Sequence, residues 1–80
     1  MGSIYGFEHF MFHIIQDWSY EMGVIEPIEY SVTTRETTVI IKLYTPYESQ
    51  LTSSSEVMKK VMAKFQWWFQ NKKIVIEFAA

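Results

Sequence analysis

Cysteine is absent from this 80-residue chain. That excludes a disulfide framework, a thiolate metal site, a cysteine nucleophile and a thiol redox switch, so the core must stand without covalent staples. Glycine is scarce: Gly2, Gly6 and Gly23 are the only ones, too few and too scattered for a phosphate-cradling loop. No apolar run approaches the roughly 18–20 residues that span a bilayer. The N-terminus has no basic segment followed by an apolar stretch and a small-residue cleavage site. We therefore expect a soluble, cytoplasmic protein without membrane contact. Met1-Gly2-Ser3 and Ala79-Ala80 have the composition of expression-tag remnants as well as of native ends.

Positive charge is missing from the first part of the chain. All five charged residues before Arg35 are acidic: Glu8, Asp17, Glu21, Glu26 and Glu29. From Arg35 onward seven bases face four acids, with Lys59, Lys60 and Lys64 close together. A domain with an acidic half and a basic half reads as something that touches other macromolecules. The net charge of −2 is too small for non-specific DNA binding by the whole domain.

What is abundant is apolar and aromatic surface. A chain of this length buries only about 60–65% of its unfolded surface. A hydrophobic share of 49% is what makes a dense core feasible in one domain, and it argues against disorder. From Ile4 to about Met22, Phe7, Phe10, Met11, Ile14, Ile15, Trp18 and Met22 recur at spacings of three and four, the stripe of an amphipathic helix that Gly23 would stop. Residues 28–32 alternate as a strand after Pro27. Thr34-Arg35-Glu36-Thr37 lacks Asn-Gly or Asp-Gly, which predicts a hairpin connection longer than two residues. Residues 38–44 form a nearly continuous β-branched and aliphatic run, which predicts a strand covered on both faces.

Pro46 and the polar residues 48–53 read as a loop. Ser53-Ser54-Ser55-Glu56 matches a capping box. A second helix follows to about Asn71, with Lys72 and Lys73 set against the negative end of its dipole. Residues 74–78 close the chain as a third strand. The expected fold is therefore α+β, a two-layer α-β-β-α-β arrangement with two helices on one face of a three-stranded sheet. The other face would present Ile40, Tyr44 and Val75, and an apolar face on so small a protein predicts self-association, most simply a dimer.

Catalytic signals are weak. The serines around Ser54 are explained by helix capping, no G-x-S-x-G turn occurs, and the acids are scattered, so the sequence does not read as an enzyme. His9, His13 and Asp17, with Glu21, form one row along the first helix. Imidazole and carboxylate ligands suit Zn²⁺ or a similar ion, and an adjacent acid favours protonated histidine. An ordinary solvated helix face is the simpler reading, and no cofactor is expected.

The residues that ask for a partner are aromatic. Phe12 and Tyr20, with Tyr5, fall off the main stripe of the first helix, where they are either additional core or interface. Trp67 falls off the stripe of the second helix beside Lys60 and Lys64. It could anchor a protein interface, stack on a nucleobase, or fold over the helix end to shield the core. The leading expectation is a self-associating protein–protein interaction module that binds and modulates or inhibits another protein, through Phe12, Tyr20, Lys60, Lys64 and Trp67. Short, cysteine-free, aromatic-rich inhibitors of host factors, as encoded by viruses and mobile elements, have this profile. The alternative is a nucleic-acid-binding module using the basic second helix, with strongly salt-dependent binding.

Overall fold

A computed structural model describes residues 2–80, with side chains from Gly6 onward; the side chain of Tyr5 lies outside the described part. The elements run α1 (Gly2–Glu21), β1 (Glu29–Thr34), β2 (Thr38–Tyr44), α2 (Glu48–Leu51), α3 (Ser55–Trp68) and β3 (Lys73–Ala79). The fold is α+β, with a three-stranded mixed sheet in the order β1-β2-β3 and with α1 and α3 in contact. The strands β1 and β2 form an antiparallel hairpin, while β2 and β3 are parallel. A parallel neighbour needs a crossover, and α2 and α3 supply it. Ala79 is part of that ladder: it pairs with Tyr44, and its carbonyl accepts from the Thr45 N–H at 2.7 Å.

The core lies between the sheet and the helices. Met11, Ile14, Ile15 and Trp18 of α1 and Val57, Val61 and Phe65 of α3 pack with Val39, Ile41 and Leu43 of β2. Strand β2 alternates buried and half-buried residues, so its continuous apolar run is covered on one face, not two. Cover comes from one side only because both long helices contribute their stripes to the same core. The outward side does carry Ile40, Tyr44 and Val75. Register places Lys42 between Ser31 and Glu77 in the midst of them, so the apolar part of that face is small. The Lys42 ammonium sits 5.7 Å from the Tyr44 ring, and the Ser31 and Tyr44 hydroxyls are 3.2 Å apart.

The end of α1 is closed by two hydrogen bonds past its last turn. The Gly23 N–H donates to the Tyr20 carbonyl and the Val24 N–H to the Ser19 carbonyl, with Gly23 at φ 80°, a conformation that glycine adopts without strain. Beneath this end sits α2, one turn of helix inside what reads as a polar loop. Its Leu51 is fully buried, a core plug that a short polar segment does not advertise. The Trp18 indole N–H donates to the Leu51 carbonyl at 3.0 Å, and the Gln50 amide donates to the Met22 carbonyl at 2.8 Å.

Three local expectations shift. The cap of α3 is Ser54, whose hydroxyl accepts from the Val57 N–H at 3.2 Å. That displaces the reading by one residue and leaves Glu56 out of position for the reciprocal bond, while Ser53 donates to Gln50. The hairpin closes over just Glu36 and Thr37, because the Arg35 N–H reaches the Thr38 carbonyl at 2.8 Å. Neither tip residue has positive φ. The tip carbonyls are held from outside instead: the Lys72 ammonium donates to those of Arg35 and Glu36, and the Lys73 N–H to that of Thr37. Lys72 is thereby diverted from the end of α3, which finishes at Trp68. There Gln66 donates to the Phe69 and Lys72 carbonyls and Asn71 adopts φ 68°.

No helix among the described residues is long and apolar enough to cross a membrane. Two substitutions test the clamp at the end of α1. Trp18→Phe strands a buried carbonyl and leaves a void, and should lower unfolding free energy by about 2 kcal/mol or more in urea denaturation. Gly23→Ala forces a side chain into positive φ and sets its Cβ 3.1 Å from the Gln50 amide nitrogen. A loss of at least about 1 kcal/mol is expected, and an unchanged midpoint would contradict this account.

Candidate interaction surface

Among the described side chains, the exposed large apolar residues are Phe12 (56% exposed), Tyr20 (69%), Ile25 (84%), Tyr44 (44%) and Trp67 (67%). All but Tyr44 belong to two depressions on opposite flanks of α1, which share no lining residue.

The first is a groove of about 280 Å³ between α1, the segment 24–28 and β1. Ile15, Val24 and Tyr30 contribute to its lining, Phe12, Tyr20 and Ile25 stand exposed around it, and Glu26 is its one charged residue. The 3.6-residue repeat places Phe12, Gln16, Ser19 and Tyr20 on the flank of α1 that the core stripe leaves over. The chain then reverses at Gly23, and Val24 returns to the core while Ile25 points out. Phe12 is thus not additional core.

Burial, followed by the negative charge of Glu8, raises the Tyr30 phenol above its usual range. On the neighbouring turn, hydrogen bonding with Glu26, and then its negative charge, does the same to the Tyr47 phenol. Glu26 thus lines the groove and Glu8 acts on its Tyr30, while no lysine or arginine among the described residues lines it.

The second depression is an open trough of about 510 Å³ between α1 and α3, lined by His9, Phe10, His13, Ile14, Lys64 and Trp67. Here the histidine row and the tryptophan–lysine pair, far apart in sequence, meet. The His9 and His13 rings are 4.2 Å apart, edge to face, and Phe12 lies 5.7 Å from His13. Trp68, not Trp67, shields the helix end: it stacks on Phe10 at 4.5 Å and tilts against Phe7 at 5.7 Å. Trp67 leans on Phe10 at 6.3 Å and leaves most of its ring in water.

Lys60 is not in this trough. Its ammonium meets Glu21 at 3.1 Å, an exposed ion pair that ties α3 to the end of α1. Such a pair is worth at most about 1 kcal/mol, but it places one base and one acid on each other instead of on a partner. Among the described residues no three His, Asp or Glu groups converge as a metal site, so Asp17 does not join His9 and His13.

Of the residues singled out by sequence, Phe12 and Tyr20 come together at the groove, Lys64 and Trp67 at the trough, and Lys60 at neither. Ile25 was missed. It follows a glycine in a turn, and only the reversal at Gly23 brings it opposite Phe12. Comparison with models of known protein families, with curated proteins and with solved structures gives no match.

The raised phenols make a prediction of sign. A tyrosine whose folded pKa lies above its unfolded value of about 10 stabilises the fold fully below pH 10 and loses that contribution as pH rises through the folded pKa. Unfolding free energy should fall above about pH 10, and Tyr30→Phe should flatten part of that fall. Ultraviolet absorbance titration of the same variant should lose part of its late-ionising amplitude, Tyr47 supplying the rest; a variant that loses only amplitude near pH 10 would contradict the placement of Tyr30.

Proposed function

We propose that this protein is a protein–protein interaction module, which binds another protein through the aromatic flanks of α1 and modulates or inhibits it. The observation that supports this reading is the exposure of Phe12, Tyr20, Ile25 and Trp67 around two depressions in a domain that otherwise buries its large side chains well. Exposed apolar clusters of this kind are costly in water and mark contact surfaces. Tryptophan and tyrosine are also the residues that most often dominate binding energy. Shape agrees with chemistry: rigid aromatics on helices present large area with little conformational entropy to lose.

The basic helix α3 gives less support to nucleic-acid binding. Lys60 is paired with Glu21, Lys72 is bound to hairpin carbonyls and Lys59 does not line the trough, where Lys64 is the single ammonium beside Trp67 among the described residues. A backbone-tracking site requires several.

Phe12→Ala, Tyr20→Ala and Trp67→Ala remove exposed side chains, so each should change unfolding free energy by no more than about 0.5 kcal/mol. Co-purification with binding partners from the native source should weaken by about 2 kcal/mol or more for at least one variant. If all three variants keep every interaction of the parent, the proposal fails.

A further inference from the structure

The two depressions are complementary to each other. Among the described residues, the groove beside Phe12 has a mostly apolar lining with one charged residue, Glu26, and no lysine or arginine. On the opposite flank of α1, Trp67 projects with Lys64 beside it. An apolar socket edged by an acid and an aromatic knob accompanied by a base are therefore carried by the same molecule. Because α1 stands between them, the knob cannot enter the socket of its own chain.

We propose that Trp67 of one molecule docks into the Phe12–Tyr20–Ile25 groove of a second copy, with Lys64 of the first meeting Glu26 of the second. The contact extends the reading above by naming one occupant of the groove. Apolar burial supplies the attraction and the Lys64–Glu26 approach sets the orientation.

Donor and acceptor are different patches, so the contact is heterologous: each molecule gives once and receives once, and successive copies close into a ring or extend as a chain. This departs from a twofold dimer through the outer sheet face, where Lys42 and Glu77 interrupt the apolar residues. One side chain in one small groove makes an interface below the standard size, so association is weak and transient. A protein partner seated on either flank displaces the neighbouring copy, which couples partner binding to disassembly.

Sedimentation velocity from micromolar to millimolar protein tests this. The parent should gain weight-average mass with concentration. Trp67→Ala and Glu26→Lys should each weaken self-association about tenfold or more, with unchanged circular dichroism as the check on folding. The decisive arm is a mixture. Trp67→Ala retains the groove and Glu26→Lys retains the knob, so together they should form a one-to-one dimer that grows no further. Combining Glu26→Lys with Lys64→Glu should restore association by exchanging the charges.

A parent that stays monomeric over the whole range overturns the inference. So does a mixture that associates no better than its components, or a Trp67→Ala variant that still assembles. If the parent is monomeric while Phe12→Ala or Trp67→Ala still loses a protein partner, the self-contact is wrong and the interaction module stands.

Discussion

The indole of Trp18 is the constraint on which the rest of this structure depends. It is almost wholly buried, and its N–H is satisfied by the carbonyl of Leu51, thirty-three residues away. That bond fixes the one-turn α2 beneath the end of α1, and Leu51 then fills the core from below. With Gln50 on the Met22 carbonyl, the segment between β2 and α3 is pinned to α1 at two places. An unpaired indole N–H in that position would carry the full desolvation penalty, so the clamp is as much a requirement of burying tryptophan as a source of stability.

Once the end of α1 is fixed, the surface follows. The turn at Gly23 sends Val24 into the core and Ile25 outward, and the groove is the space left between this turn, α1 and Tyr30. On the other flank, α3 lies close enough for Phe10 to stack on Trp68, and that contact excludes Trp67 from the same space. Only one tryptophan of the adjacent pair stacks closely on Phe10 because neighbours on a helix point about 100° apart. The exposed tryptophan is thus a geometric consequence of the half-buried, stacked one. The acidic first half and basic second half are similarly divided: Glu21 and Lys60 satisfy each other, while Glu26 and Lys64 stay available at the two depressions.

Much of this was legible in the residues. The stripe from Phe7 to Trp18 marks α1, the residues of the second stripe mark α3, and alternation or β-branching marks the strands, because burial on one face writes its period into the chain. Phe12, Tyr20 and Trp67 were legible as misfits to those same periods. Leu51 and Ile25 were not, since each is a single apolar residue in a polar or turn-forming stretch, and no period exists over one residue. The tight hairpin was hidden for another reason: its tip is stabilised by Lys72 and Lys73, which no local rule connects to Glu36.

By itself the sequence determined the two long helices and the three strands, the residues with no place in a core stripe, and the exclusion of thiol and phosphate-loop chemistry. These follow from composition and from periods short enough to be read along the chain. Only the tertiary structure decided that β3 lies parallel to β2, that α2 plugs the core, and that Phe12 and Ile25 line one depression while Trp67 and His13 line the other. Such pairings are set by which surfaces pack and which buried polar groups find partners across dozens of residues. That competition is among alternatives in space, and a linear pattern does not encode its outcome.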